Sequence, residues 1–198
     1  MPNHKVPLEP GNFYHIYNRG INGCPIFKES TNYEHFLGLY DKYISTVAHT
    51  FAWVLMGNHF HLLVRIINPE GFENLQGLNA DKRINQQFSN LFNAYTKAFN
   101  KKYNRTGSLF EHTFKRKPIN KEAYLKQVIL YIHNNPVHHG FCSHPVEYPW
   151  SSYLSCISMK PTKLRREAVM GWFDNEANFR DRHNEKIDIE RVEQWLEL

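Results

Sequence analysis

The chain has 198 residues, 41% of them hydrophobic and 15% aromatic, which is enough apolar material for a folded core and too much for a disordered chain. Its 24 Lys and Arg against 19 Asp and Glu give a formal charge of +5, a mild excess that permits an anionic partner without requiring one. Three widely spaced cysteines argue against a disulfide framework or a Cys-rich zinc centre. No segment approaches the ~18–20 apolar residues of a membrane span, and no apolar run follows Met1, so the expected compartment is the cytoplasm.

Residues 12–19, Asn-Phe-Tyr-His-Ile-Tyr-Asn-Arg, are aromatic and β-branched enough for a first strand, which the Gly20 to Pro25 region breaks. A helix capped by Thr31 or Asn32 follows, with Phe36, Leu37, Tyr40, Tyr43, Ile44 and Val47 on one face. Residues 51–66 read as two apolar strands joined at Gly57-Asn58, a pair suited to a tight hairpin. Along the second strand Phe60, Leu62, Val64 and Ile66 point one way, and His59, His61, Leu63 and Arg65 the other. A loop over 68–78 leads to a second amphipathic helix bearing Ile84, Phe88, Leu91, Phe92, Tyr95 and Phe99. It runs into a basic cluster of Lys97, Lys101, Lys102, Arg105, Lys115, Arg116 and Lys117, with Glu111 as the single acid. Such a cluster is either a phosphate footprint or a solvated helix end and loop. A fourth strand is predicted over 109–117, ended by Pro118.

Strand, helix, strand, strand, helix, strand is the order of the split β-α-β-β-α-β, ferredoxin-like arrangement. It predicts an α+β domain with one antiparallel sheet and both helices on one face. The opposite face is then open, and the two imidazoles lie on it. A third helix is expected from about Asn120 to Asn135, where Pro136 stops it. Leu125, Val128, Ile129 and Ile132 form its packing stripe, while Tyr131 and Asn135, four apart, share an adjacent one. Residues 145–153 read as an ordered aromatic extension, and further helices are expected around Glu167–Phe173 and Asp188–Leu196. The predicted division is a domain over 1–153 and a C-terminal helical extension over 154–198, which carries no interpretable motif.

Two histidines two apart on a strand can hold one divalent ion through their ring nitrogens, and Asn135 can add a neutral side-chain oxygen. An ion beside a bound phosphodiester would offset charge developing on the phosphorus oxygens, and Tyr131 would attack in line. Plainer readings stand beside this one. A His-x-His pair on a strand is commonly structural, a helical tyrosine is commonly a core aromatic, and an Asn before Pro commonly ends a helix. With 12 histidines, pairs such as His138-His139 arise by chance. Leu62, Leu63 and Val64 stand where a zinc hydrolase of the His-x-His-x-Asp-His type needs an acid and a histidine, which disfavours that class. Spacing alone leaves the choice open.

Five segments occur in order: Phe13-Tyr-His-Ile-Tyr-Asn-Arg-Gly20, Gly57-Asn-His-Phe-His-Leu-Leu-Val64, Gly107-Ser-Leu-Phe110, Tyr131-Ile-His-Asn-Asn-Pro-Val137 and Tyr148-Pro-Trp-Ser-Ser-Tyr153. Together they closely resemble the REP-associated tyrosine transposases, which are single-tyrosine, insertion-sequence-like members of the HUH (His-hydrophobic-His) nuclease superfamily. The resemblance spans roughly residues 11–153 and does not reach the tail. It implies that His59 and His61 are metal ligands with Asn135 as the third, and that Tyr131 is the nucleophile, with Tyr124, two turns earlier, ranked second. The implied ion is Mg²⁺ or Mn²⁺. The implied activity is that of a transposase, an endonuclease and strand transferase that cuts and rejoins single-stranded DNA through a 5′-phosphotyrosine. Its substrates would be repetitive palindromic elements that fold into hairpins, and it would act as a monomer or homodimer. Arg19, Arg65, Lys115 and Arg116 are the candidates for DNA contacts, while His112 and His133 receive no role. The alternative is a non-catalytic hairpin-binding protein on the same fold, which has no need of Tyr131, Asn135 and the histidine pair together. A replication or conjugation initiator nuclease suits the short chain and the Tyr-Pro-Trp-Ser-Ser-Tyr segment less well.

Overall fold

The structure, a computed structural model, describes residues 6–68, 78–111 and 113–196. Residues 69–77 of the expected loop, and His112, lie outside the described residues. The elements in chain order are β1 (Phe13–Arg19), α1 (Ser30–Ile44), β2 (Ala48–Met56), β3 (His59–Ile66), α2 (Leu78–Lys102), β4 (Lys115–Ile119) and α3 (Glu122–His138). Four shorter helices follow: α4 (Tyr153–Ile157), α5 (Arg166–Trp172), α6 (Glu176–Asn184) and α7 (Ile189–Leu196). No helix among the described residues is long and apolar enough to cross a membrane.

The strands pair antiparallel in the order β2-β3-β1-β4, the expected split arrangement. The hairpin turns at Gly57-Asn58 with Met56 opposite His59. Neither turn residue takes a positive φ. The Gly57 carbonyl instead accepts the backbone N–H groups of Ile26 and Phe27, and the Asn58 carbonyl accepts that of Gly20, so tertiary bonds set the turn. On one face, Tyr14 and Ile16 of β1 and Phe60, Leu62, Val64 and Ile66 of β3 pack against α1 and α2 through Phe36, Ile44, Ile84, Phe88, Leu91 and Tyr95. Each such side chain contributes about 1.5–3 kcal/mol on burial, so the alternation read from β3 commits this face to the core.

The opposite face is not open. Ala52, Val54, Met56 and Leu63 meet Val128, Ile129 and Ile132 of α3, and Tyr153, Val169, Phe179, Val192 and Leu196 of the C-terminal helices complete this second core. The face itself is apolar along most of its length, and leaving it to water would forfeit that burial. Inside this core four hydrogen bonds join five polar groups in a line. His183 Nδ1 donates to the Phe179 carbonyl (2.6 Å), His133 Nδ1 to His183 Nε2 (2.9 Å) and Ser152 Oγ to His133 Nε2 (2.8 Å). The Trp53 backbone N–H then donates to Ser152 Oγ (2.9 Å).

Helix α1 begins at Ser30 with Glu29, not Thr31 or Asn32, at its N-cap, and β2 begins at Ala48 rather than at 51. Two further boundaries differ from expectation at prolines. Strand β4 covers Lys115–Ile119 rather than 109–117, with Pro118 inside it opposite Tyr14. It pairs only with β1, and a strand with one unpaired side accommodates a residue that lacks an N–H. Helix α3 runs past Asn135 to His138 with Pro136 within it. Pro136 falls in the last turn, so little of the ladder is lost, and the end is closed at Gly140 (φ +72°). There Gly140 N–H donates to the Val137 carbonyl and Phe141 N–H to that of Pro136. In the tail, α5 and α7 lie where helices were expected, whereas α4 and α6 carry no apolar stripe that would announce them; α6 buries only Phe179 and His183.

Candidate active site

The register of β1 on β3 places Arg19 opposite His59, Tyr17 opposite His61 and His15 opposite Leu63. Strand alternation turns His15, Tyr17, Arg19, His59 and His61 to the side that α3 covers. Helix α3 supplies Tyr131 and Asn135 one turn apart, and its closed end presents His139 and Phe141. Near the hairpin, where the second core stops, these side chains surround a cavity of about 410 Å³. It is lined by Tyr17, Arg19, His59, His61, Lys115 and Tyr131, with Asn18, Asn58, Glu111, His139, Phe141 and Glu193 completing the wall.

The imidazoles are held in defined orientations. His59 Nδ1 lies 2.7 Å from Asn58 Oδ1, which only accepts, so Nδ1 carries the proton and Nε2 offers its lone pair. Nε2 in turn faces Oδ1 of Asn135 at 3.0 Å. His61 Nδ1 is 3.0 Å from His15 Nε2, the two rings stacked at 5.1 Å and 7°. His15 Nδ1 and Asn135 Nδ2 are buried without partners. Burial, before any neighbouring charge, pushes the pKa of His59 down to about 4, that of His15 to about 3 and that of His61 well below its ordinary value, so all three are neutral at pH 7.

This donor set fits a cation. A neutral His59 lone pair and an amide oxygen facing each other repel unless something positive joins them, and burial has removed the proton that would. With Oδ1 of Asn135 turned towards Nε2 of His59, the pair is compatible with a shared ion, and Nδ2 is left without a partner. Two neighbouring ligands of an octahedral ion with bonds of ~2.1 Å stand ~3 Å apart. Among the described residues no group of three or more His, Cys, Asp and Glu is placed to hold a metal; the set here is two imidazoles and one amide oxygen.

Tyr131 is only 1% exposed, its ring edge-on to His61 (5.3 Å) and to His15 (6.1 Å). Its hydroxyl donates to Glu193 Oε1 at 3.4 Å. Burial first, then the Glu193 charge, raise the phenol pKa above its ordinary value, so attack requires removal of the proton as the new bond forms.

Arg19 and Lys115 line the cavity, Arg19 in an exposed pair with Glu111 at 3.4 Å and Lys115 5.8 Å above the Tyr17 ring. Arg65 shares the histidine face but lies at the far end of β3. Its Nε donates to the Gly11 carbonyl and its guanidinium covers Phe13. Arg116, one residue from Lys115, points to the other face and reaches Asn85 (2.7 Å) and Asp81 (3.9 Å) on α2. Tyr124 stacks on Trp195 at 4.5 Å, outside the cavity, and His133 belongs to the second core. The site also contains residues to which spacing assigned no role. His15 is recoverable once β1 is registered on β3. His139, edge-on to His59 at 5.3 Å, follows from α3 continuing past Pro136. Glu193 has no local signal at all.

The fold is that of a solved structure of a REP-associated tyrosine transposase bound to a REP hairpin. The match has a TM-score of 0.57 and 17% identity, and covers 81% of this chain and 88% of that one. Two structures of a bacterial tRNA(His) guanylyltransferase-like protein also align. The complex with GTP gives a TM-score of 0.41 at 12% identity over 67% of this chain and 65% of that one; the complex with ATP gives 0.42 at 12% over 74% and 67%. No protein-family model matches the chain, and neither does any curated protein.

Proposed function

We propose that this protein is a metal-dependent single-strand DNA endonuclease and strand transferase, a transposase that cuts and rejoins hairpin-forming DNA through a 5′-phosphotyrosine on Tyr131. The observation that carries the reading is the meeting of His59, His61 and Tyr131 in one cavity wall, with buried Asn135 Oδ1 3.0 Å behind His59 Nε2. That a REP-associated transposase of the same fold binds a REP hairpin agrees with this choice of substrate.

In this mechanism His59, His61 and Asn135 would hold Mg²⁺ or Mn²⁺, which when bound supplies charge stabilisation to the oxygens of the scissile phosphate. Asn58 keeps His59 in the tautomer with its proton on Nδ1, and His15 holds the His61 ring in place from its Nδ1 side. Arg19 and Lys115, at the cavity rim, attract and orient the backbone on either side of the cut. Tyr131, locked between α3 and the two rings, attacks phosphorus in line and displaces the 3′ oxygen. The retained 3′-hydroxyl later reverses the step.

The test is covalent trapping. The protein with Mn²⁺ or Mg²⁺ and single-stranded hairpin oligonucleotides from its genomic surroundings should form an SDS-resistant adduct, mapped to Tyr131 by mass spectrometry. Tyr131→Phe should remove the adduct and leave hairpin binding intact. Tight, metal-independent hairpin binding with no adduct would instead favour a non-catalytic hairpin-binding protein.

A further inference from the structure

The tail beyond residue 153 enters the cavity at one point. Val192 and Leu196, four apart, are buried in the second core and fix the rotation of α7, which turns Glu193 towards α3. Its carboxylate lines the cavity and accepts the Tyr131 hydroxyl at 3.4 Å. The other acid in the wall, Glu111, is engaged by Arg19, whereas Glu193 makes no ion pair among the described residues. Of the nearby imidazoles, His61 Nδ1 bonds His15 and His59 Nδ1 bonds Asn58, while His139, whose pKa burial lowers and the Glu193 charge raises, shares the wall; it is Glu193 and not His139 that accepts the Tyr131 hydroxyl.

We propose that Glu193 is a catalytic residue, the base that takes the Tyr131 proton as the tyrosine attacks, so that α7 forms part of the active site. This rests on Tyr131 being the nucleophile. As the bond from Tyr131 Oη to phosphorus forms and the bond from phosphorus to the 3′ oxygen breaks, the phenol proton passes to Glu193 Oε1. The departing 3′ oxygen takes up one proton, from Glu193 or through water, and becomes a hydroxyl. The proton lost by the tyrosine is thus balanced by the one the 3′ end gains, and no further reactant is consumed. In the return step Glu193 hands the proton back to the phenol. The contact already pairs the two groups, and at 3.4 Å it has to shorten to the ~2.6–3.2 Å reach of a general base as the DNA complex tightens.

The experiment uses the full-length protein loaded with Mn²⁺ and follows single-turnover adduct formation on a hairpin oligonucleotide. Glu193→Gln keeps the shape and the acceptor oxygen but cannot take the proton. It should slow adduct formation by about 10²–10⁴-fold while hairpin affinity, thermal midpoint and Mn²⁺ affinity measured by electron paramagnetic resonance stay as in wild type. Glu193→Asp, which keeps a carboxylate, should recover part of the rate. Adduct formation by Glu193→Gln at the wild-type rate or faster would overturn the proposal, since the contact is then a brace or a lock. A parallel loss of Mn²⁺ affinity would also overturn it, by making the carboxylate a metal ligand. If wild type itself forms no adduct, the reading of Tyr131 fails first and the base role falls with it.

Discussion

Two groups of buried imidazoles lie on the same side of this sheet, and they differ in how completely they are satisfied. His133 and His183 sit in a relay in which every ring nitrogen has a partner of the right kind, ending on a backbone carbonyl and on Ser152. His15 and His61 are almost as inaccessible and His59 is half-buried, yet His15 Nδ1 and Asn135 Nδ2 have no partner, and His59 Nε2 faces Asn135 Oδ1 across 3.0 Å. A closed network is worth stability, and an incomplete one costs about 1–3 kcal/mol for each orphaned group. The incomplete network is the one that borders a cavity. Burial therefore does not separate structural from chemical histidines in this protein; polar bookkeeping does.

The largest expected effect separates the two groups by what they lose. His59→Ala or His61→Ala should reduce metal-dependent cleavage on the order of 10³-fold, the loss of several kcal/mol of charge stabilisation. Mn²⁺ should raise the thermal midpoint of wild type and leave that of His61→Ala unmoved in differential scanning fluorimetry. Undiminished cleavage in either variant would mean that the ion is held elsewhere. His133→Ala should do the reverse. It opens a cavity and strands His183 and Ser152, so urea denaturation should show a loss of about 4 kcal/mol, with cleavage by the remaining folded protein unchanged.

Acid should sharpen the contrast further. Burial holds His183 at a pKa of about 4 in the folded chain, against an ordinary value of 6.5 when unfolded. The unfolded chain binds the extra proton between those two values. The contribution is therefore intact above pH 6.5 and is lost progressively as pH falls to about 4, up to about 3 kcal/mol. Urea midpoints measured from pH 7 to 4 should fall, and less steeply in His183→Gln. An identical slope in the two proteins would remove His183 from the acid response. The smallest effect concerns the rim: Lys115→Ala should weaken hairpin binding a few-fold and lower the salt slope by about 1, whereas Arg65→Ala, at the far end of β3, should change neither.

Strand alternation was legible in the residues and put His59 and His61 on one side, Phe60 and Leu62 on the other. The same rule carries a warning for the cationic candidates: adjacent Lys115 and Arg116 cannot share a face, and only Lys115 reaches the cavity. Tyr131 and Asn135 were legible as a helical pair because four residues bring side chains into line. What covers the second face was not, because an apolar stripe says that it is buried and not against what. Glu193 lay beyond reach for a related reason: 62 residues separate it from Tyr131, and only the packing of Val192 and Leu196 brings the two together.

The sheet has two outer strands, and each is closed to further pairing by a different means. Along β2, the backbone N–H of Leu55 donates to the Trp150 carbonyl, Ser152 N–H to that of Trp53 and Arg165 N–H to that of Thr50, so the segment at 150–152 and the tail at Arg165 take hydrogen bonds a neighbouring strand would seek. Along β4 the sequence Lys-Arg-Lys-Pro-Ile sets charge and an absent donor against any incoming strand. Neither edge is thereby free to add an extended peptide segment, from another protein or from a second copy, to the sheet. If two copies associate, they must do so through side-chain surfaces rather than by continuing the ladder.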